Sequence, residues 1–266
     1  MNVDKLIVKT FKKAVNMMVE NPNPELRKNS NSDFPPPKII YPCYSDGEKR
    51  ISEQEIKQLF IQTLIEEKNF YFSVETPTEL KYKFSEDRKL IDPLVGIGES
   101  ANVDLCLYKF EDSKFKRMHL IEFKFKNSAE HEIKKDFLKL FAEGSEQNNY
   151  FIHILDSANK GTLKKATEQT PKEKRTSVLQ KYYNSWTHCI NQKEHCKVCN
   201  INSKNKITIY LLIINNKNVS SDCYKIELPP KSCSSTEVFD LEYYKEPLDS
   251  NQHDKSLHFW KFKQKN

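Results

Sequence analysis

The apolar run KITIYLLII at residues 206–214 limits the folds open to this chain more than any other feature. A strand that is apolar on both faces has to be covered on both, as in α/β proteins. The run is also far shorter than the ~20 residues that a membrane-spanning helix needs. We therefore predict a buried strand inside an α/β fold and no membrane-spanning segment.

Helical and strand patterns alternate along the rest of the chain. Apolar residues at helical spacing predict helices at residues 3–19, 52–67 and 129–142. Residues typical of strands predict strands at 70–75, 102–110, 115–126, 149–155 and 206–214, with shorter ones near 223–228 and 238–244. A long polar excursion separates the first two strands, at residues 76–100. This order predicts an α/β sandwich with a central mixed sheet flanked by helices.

Length and composition fit one domain with additions. The chain has 266 residues, of which 37% are apolar and 11% aromatic, so it can form a sizeable core. We predict a helix and Pro-rich strap at 1–50, a core at 51–160, and a basic helical segment with C-terminal strands at 161–266 that completes the same domain. Seven cysteines without a regular spacing, and an N terminus unlike a signal peptide, predict reduced thiols and a cytoplasmic protein.

Three charged residues on two neighbouring predicted strands form the strongest functional pattern. Because side chains alternate along a strand, Glu122 and Lys124 share one face, and Asp104 lies on the preceding strand. Two carboxylates from neighbouring strands form an oxygen site suited to Mg²⁺. A lysine beside them can stabilise charge on a phosphoryl group or help to deprotonate a water molecule. The pattern indicates metal-assisted phosphodiester hydrolysis.

A simpler interpretation of the same strand stays open. Glu-x-Lys occurs four more times in this charged chain, and the FKFK alternation is also typical of a soluble edge strand. The turn between the two strands adds a condition, because a four-residue turn in regular register would put Asp104 and Glu122 on opposite faces. The catalytic hypothesis therefore requires an odd-length loop or a β-bulge.

The segments around these residues resemble the PD-(D/E)XK nuclease superfamily, which has the restriction-endonuclease-like fold. The resemblance covers residues 52–155 and follows the order SEQEIKQLF, FYFSVE, ANVDLCLY, LIEFKFK, EIKKDFLKLF and YFIHIL. One departure is Val103, where the family pattern has Pro. The resemblance implies a Mg²⁺- or Mn²⁺-dependent endonuclease that acts on DNA, with RNA as the alternative substrate. Restriction or anti-phage defence is the setting in which such families are common.

The resemblance also implies roles for the three charged residues. Asp104 and Glu122 would be metal ligands, and Lys124 would be the catalytic lysine. Asp92, in the sequence IDP, remains a rival for the role of Asp104.

Families of this kind often add an acid from the first helix, where this chain has Glu53 and Glu55. Ser52 and Glu55 match a capping box, so Glu53 is the candidate for the additional ligand. Glu75, at the end of the first predicted strand, is a further candidate. A surface position is the alternative for both Glu53 and Glu75.

The charge of the chain is concentrated in one segment. Between Lys160 and Lys206 there are eleven Lys and Arg residues and three Glu, which gives +8, whereas the whole chain carries +6. A basic segment next to a slightly acidic body predicts a polyanionic partner, with a solvated helix as the alternative. The candidate phosphate contacts are Lys164, Lys165, Lys172, Lys174, Arg175 and Lys181. The candidate base-stacking residues are Tyr182, Tyr183 and Trp186, with core packing as the alternative.

A second candidate site lies at residues 188–199. Cys196 and Cys199 have the C-x₂-C spacing of a structural Zn²⁺ site, and His188, Cys189 or His195 could complete a tetrahedron. Ordinary reduced thiols are the alternative, because a second well-spaced pair is missing.

The sequence supports two functional classes. The first is a metal-dependent nuclease with nucleic acid as its partner. The second is a non-catalytic module that binds nucleic acid or another partner and retains a decayed nuclease site. For the active form, a homodimer and a complex with a partner subunit are kept as alternatives to the isolated chain.

Overall fold

The computed structural model describes residues 3–19, 39–47, 49–68, 70–85, 91–94, 97–143, 148–156, 160–163, 177–195, 206–215, 220–228, 239–247 and 256–264. The strands are β1 Tyr71–Phe84, β2 Ile91–Leu94, β3 Glu99–Glu111, β4 Lys114–Phe125, β5 Asn149–Asp156, β6 Ile207–Asn215, β7 Ser220–Leu228, β8 Phe239–Pro247 and β9 Ser256–Gln264. The helices are α1 Val3–Val19, α2 Glu53–Glu67, α3 Glu130–Ala142, α4 Lys160–Leu163 and α5 Val178–His195.

The described strands form one mixed sheet in the order β2-β1-β3-β4-β5-β6-β7-β9-β8. The strands from β2 to β4 pair antiparallel, and β4, β5 and β6 pair parallel through crossovers that contain helices. β7 is antiparallel to β6 and parallel to β9, and β8 is antiparallel to β9. The prediction of an α/β fold with a mixed sheet flanked by helices is thus confirmed.

Helices cover both faces of the sheet. Apolar residues of α1 and α2 pack with Leu105, Ile121 and Phe123 on one face. Residues of α3, α4 and α5 pack with Cys106 and Leu120 on the other. Strand β6 lies between both layers, and its odd- and even-numbered residues are buried in opposite cores. Because both faces of β6 are buried, the strand is apolar on both faces.

Several predicted segments match the structure closely. The three predicted helices correspond to α1, α2 and α3, and the predicted strands at 149–155 and 206–214 correspond to β5 and β6. The predicted capping box was wrong in detail. The Ser52 hydroxyl donates to the Glu55 carboxylate and makes no side-chain bond to the backbone of the first turn.

The polar excursion at 76–100 was the largest error in the predicted elements. Strand β1 continues to Phe84, and β2 follows it within the same stretch. Glu143, at the end of α3, stabilises this extension, since its carboxylate accepts hydrogen bonds from the backbone N–H groups of Glu79 (2.7 Å) and Leu80 (3.0 Å). Strand β9 was also missed as a strand.

No helix in the described ranges is long and apolar enough to cross a membrane.

Candidate active site

Strands β3 and β4 separate at the position of the two predicted carboxylates. Their last paired residues are Leu105 and Ile121, after which β4 continues to pair only with β5. Asp104 and Glu122 are the next residue on each strand. The Asp104 side chain bridges the gap, because its Oδ2 accepts a hydrogen bond of 2.8 Å from the backbone N–H of Phe123. The candidate site therefore lies where the two strands diverge.

A β-bulge sets the register that brings these carboxylates together. The hairpin turn contains only Asp112 and Ser113, both at positive φ, and the strands then pair regularly as far as Tyr108 and Arg117. The next pair is Leu107 with His119, so Met118 is an extra residue in β4. This one-residue shift places Asp104 opposite Glu122, and their carboxyl groups lie within hydrogen-bonding reach. The β-bulge that the catalytic hypothesis required is therefore present.

Lys57 of α2 holds Asp104 in its charged form. The Nζ atom of Lys57 is 3.0 Å from Asp104 Oδ1 and 2.7 Å from Glu75 Oε1. Burial raises the pKa of Asp104, but the hydrogen bonds from Phe123 and Lys57 outweigh it and the net pKa is lowered. Asp104 is therefore a carboxylate at neutral pH.

Glu75 occupies an unusual backbone position beside this pair. It has φ +48° within strand β1, where a residue with a side chain is strained. Its side chain is largely exposed and contacts Lys57. The structure thus places the predicted Glu75 at the outer side of the site, joined to Asp104 through a shared lysine.

Glu122 lies deeper, and its carboxyl group is almost fully buried. Lys139 of α3 forms an ion pair with it, and Lys139 is itself buried and donates to the Asn102 carbonyl over 2.8 Å. Burial raises the pKa of Glu122 well above its ordinary value, and the neighbouring Asp136 and Asp104 carboxylates raise it further. The ion pair with Lys139 lowers the pKa but does not outweigh these effects, so the net pKa of Glu122 is raised.

The side chain of Lys124, like that of Glu122, points to helix α3. Its Nζ atom is 2.9 Å from Asp136 Oδ2, and the other oxygen of Asp136 lies 3.1 Å from Lys139. Burial lowers the pKa of Lys124, but Asp136, Glu122 and Glu53 outweigh it, so the net pKa is raised. Lys124 is therefore an ammonium ion at neutral pH.

Glu53, the first residue of α2, completes the group. Its pKa is raised, first by burial and then by Asp104, while Lys124 lowers it. The predicted Glu53 therefore lies near both strands of the site, whereas Glu55 points to Arg50. The site contains five carboxyl groups and three lysines, which are Glu53, Glu75, Asp104, Glu122 and Asp136 with Lys57, Lys124 and Lys139. Full ionisation would leave it with a net charge of −2.

A buried histidine fixes the end of strand β4. His153 lies opposite Lys124 in the parallel pairing of β5 with β4. Its Nε2–H donates to the Lys126 carbonyl. Its Nδ1 accepts from the Tyr182 hydroxyl over 2.6 Å. Burial lowers the pKa of His153 to about 4, so the ring is neutral. These bonds hold the backbone that carries Lys124.

The donor set fits a divalent cation. Mg²⁺ is usually held by one or two carboxylates together with water and substrate phosphate. Asp104 and Glu122 supply two carboxyl groups, and Glu122 Oε1 is in ion-pair contact with Lys139 Nζ. In the described part of the chain, no group of three or more Asp, Glu, His or Cys side chains could hold a metal ion. A cation here would therefore take its remaining ligands from water and substrate.

Three residues of the site were missed from the sequence, namely Lys57, Asp136 and Lys139. A signal was present, because each lies within the apolar stripe of its helix. Asp136 follows Ile133 by three residues, and Lys57 precedes Phe60 by three, in positions that normally hold apolar side chains. A charge at such a position indicates a buried partner.

The rival acid Asp92 is placed elsewhere. Its backbone belongs to edge strand β2, and β1 and β3 separate that strand from β4.

Two of the predicted base-stacking residues were wrong. Tyr182 and Trp186 are buried in the core beneath α5, so neither ring can stack on a base, and the alternative of core packing applies. Tyr183 is partly buried and contacts Trp186. Lys181 donates to Asn127 Oδ1 (2.7 Å) and to the Ser128 carbonyl (2.8 Å), which joins α5 to the segment before α3. Lys164, Lys165, Lys172, Lys174 and Arg175 lie outside the described residues.

The predicted zinc ligands are only partly described. Cys196 and Cys199 lie outside the described residues, and the side chain of His195 is not described. His188 and Cys189 lie in α5, where Cys189 is buried in the core. The zinc hypothesis stays a prediction.

The chain matches no protein-family model, no curated protein and no solved structure.

Proposed function

We propose that the chain is a metal-dependent phosphodiesterase, a nuclease whose substrate is DNA, with RNA as the alternative. The observation that carries this proposal is the meeting of Asp104 and Glu122 where β3 and β4 diverge, with Lys124 two residues further along β4. In this proposal the mixed sheet is a restriction-endonuclease-like core. Restriction or anti-phage defence is its suggested setting, by analogy of fold alone.

Each proposed role follows from the charge state of the residue. Asp104, kept ionised by Lys57 and the Phe123 N–H, and Glu122, after loss of its proton, are the proposed metal ligands. A bound Mg²⁺ or Mn²⁺ would polarise the phosphoryl oxygen and lower the pKa of water. Lys124 is the proposed catalytic lysine.

The raised pKa of Lys124 distinguishes between two possible roles of this lysine. A general base at neutral pH would need a lowered lysine pKa, whereas Lys124 keeps its proton. We therefore assign Lys124 the electrostatic role, in which its ammonium group stabilises negative charge that develops on the phosphoryl group. Asp136 is a positioning residue, since it holds Lys124 and Lys139.

The test is a cleavage assay with purified protein. Supercoiled plasmid and single-stranded RNA are incubated with Mg²⁺, Mn²⁺ or EDTA. The proposal predicts nicking or linearisation of plasmid with either metal and no cleavage with EDTA. Binding of nucleic acid without cleavage under every metal condition, also at high protein concentration, would favour the non-catalytic module.

A further inference from the structure

Lys139 lies in an oxygen-lined position inside the candidate active site. Its Nζ atom forms ion pairs with Glu122 and Asp136, and it donates to the Asn102 carbonyl over 2.8 Å. All three charged side chains are almost fully buried. Carboxylate and carbonyl oxygens are also the ligands that divalent cations such as Mg²⁺ and Ca²⁺ take in proteins. The ammonium group of Lys139 therefore takes the place of a cation between two buried carboxylates.

Lys57 has a similar position on the outer side of the site. Its Nζ atom is 3.0 Å from Asp104 Oδ1 and 2.7 Å from Glu75 Oε1. The other oxygen of Asp104 accepts from the Phe123 N–H, so both oxygens of this carboxylate have a donor within the chain. The side chain of Lys57 is buried, which fixes its positive charge next to Asp104. A cation that binds Asp104 therefore has to do so beside that charge.

The charges of the site match a single divalent cation. Its five carboxyl groups and three lysines, all ionised, leave a net charge of −2. One Mg²⁺ or Mn²⁺ would balance this charge. A second would leave an uncompensated charge of +2 in a largely buried site, and buried charges without partners are costly. Removal of Lys57 alone would change the net charge of the site to −3.

We propose that Lys57 and Lys139 are built-in counter-ions that limit the site to one divalent cation, and that Lys57 weakens the binding of this cation by competing for Asp104. The inference rests on the proposed function for the cation itself. A site with such a competitor binds the cation weakly alone and more tightly when a substrate phosphate supplies further oxygen ligands. Lys57 would thereby couple metal binding to substrate binding.

The test measures Mn²⁺ binding directly and uses no nucleic acid. Electron paramagnetic resonance of free Mn²⁺ gives the number of cations bound per chain and their Kd. The variants are Lys57→Gln, which removes the positive charge, and Lys57→Arg, which keeps it. Lys134→Gln is the matched control, because it removes a lysine from an ion pair of 2.8 Å with Glu130, outside the site. Alkaline pH is used so that the loss of Lys57 does not change the ionisation of Asp104.

The expected result for the wild type is one bound Mn²⁺ per chain, lost in Asp104→Asn. This count tests the proposal without any change at Lys57. In Lys57→Gln the Kd for Mn²⁺ should be at least about tenfold lower, because a positive charge next to a ligand has been removed. Lys57→Arg and Lys134→Gln should keep the wild-type Kd.

Three results would overturn the inference. The first is two Mn²⁺ per wild-type chain, both lost in Asp104→Asn. The second is a Kd of Lys57→Gln equal to that of Lys134→Gln. The third is weaker binding in Lys57→Gln, since Lys57 would then support the ligand and not compete with the cation.

The two proposals fail separately. Tighter Mn²⁺ binding in Lys57→Gln without metal-dependent cleavage of plasmid would remove the proposed function and keep the role of Lys57. Metal-dependent cleavage with equal Kd values in Lys57→Gln and Lys134→Gln would do the reverse.

Discussion

Asp104 and Phe123 share the hydrogen bond at which strands β3 and β4 separate. The Phe123 N–H donates to the Asp104 side chain over 2.8 Å, in the place of a backbone carbonyl of β3. The carboxylate is thereby fixed by the strand that also carries Glu122 and Lys124. Asp104 thus has a structural role beside its proposed role as a metal ligand, and substitutions there have to be chosen so that the hydrogen-bond acceptor is kept.

The first prediction concerns the charge of Glu122. Its folded-state pKa is raised, so the folded protein holds a proton that the unfolded chain releases near pH 4.5. Stability should therefore fall as the pH rises above about 4.5 and through the folded-state pKa. Glu122→Gln removes this titrating group, and we expect its melting temperature to fall less than that of the wild type as the pH rises from about 4.5 towards alkaline pH. Thermal unfolding followed by circular dichroism across that range checks it; an equal pH dependence of the two proteins would contradict the assignment.

The second prediction concerns Lys139. Lys139→Met removes the buried cation that pairs with Glu122 and Asp136, and both carboxyl groups then lack it. We expect a loss of about 3–5 kcal/mol in the free energy of unfolding, measured by urea denaturation.

Lys134→Met is the matched control for Lys139→Met in the same helix. Lys134 is more exposed and pairs with Glu130 across one turn, at 2.8 Å. Such a pair contributes only about 0.2–0.5 kcal/mol. Similar losses in the two variants would show that Lys139 has no buried ionic role.

The third prediction concerns acid stability. The pKa of His153 is lowered from 6.5 to about 4, so the unfolded chain binds the proton before the folded protein does. Stability should be lost as the pH falls from about 6.5 to about 4, by an amount on the order of 3 kcal/mol from this residue. In His153→Gln that part of the acid dependence should disappear. Urea unfolding at several pH values measures the difference, and parallel curves for the two proteins would refute the role of His153.

The fourth prediction concerns metal binding. A divalent cation bound by Asp104 and Glu122 stabilises the folded protein, by about 2.7 kcal/mol when its concentration is a hundred times Kd. Because Glu122 has to lose its proton first, the stabilisation by Mn²⁺ should be larger at about pH 8 than at about pH 6. Differential scanning calorimetry with Mn²⁺ and with EDTA checks this. An equal effect of Mn²⁺ on Glu122→Gln would place the cation elsewhere.

The fold was largely predictable where one periodic pattern decided the outcome. The apolar run of β6 and the apolar stripe of α3 each specified an element to within one or two residues. The extension of β1 was not predictable, since its sequence contains Pro77 and several polar residues typical of a loop. Its strand structure depends on contacts with β3 and on Glu143, more than sixty residues away in the chain.

The candidate site was predictable in some of its residues and only conditionally in its geometry. Asp104, Glu122 and Lys124 were identified from alternation along two strands. Their meeting depends on the extra residue Met118, and no feature of the local sequence marks that position as a bulge. The lysines that balance the carboxylates come from helices α2 and α3, so only the packing of helix against sheet reveals them.

The most direct test of the central claim is the initial rate of Mg²⁺-dependent plasmid nicking by Asp104→Asn. Asparagine keeps an oxygen that can accept from Phe123 and removes the charge that a cation needs. Asp112→Asn makes the same chemical change at an exposed turn position, with φ +52°, that asparagine tolerates. We predict that Asp112→Asn retains the wild-type rate and that Asp104→Asn, folded and equally stable, loses about 100-fold or more. Equal nicking rates for the two variants would contradict the proposed active site.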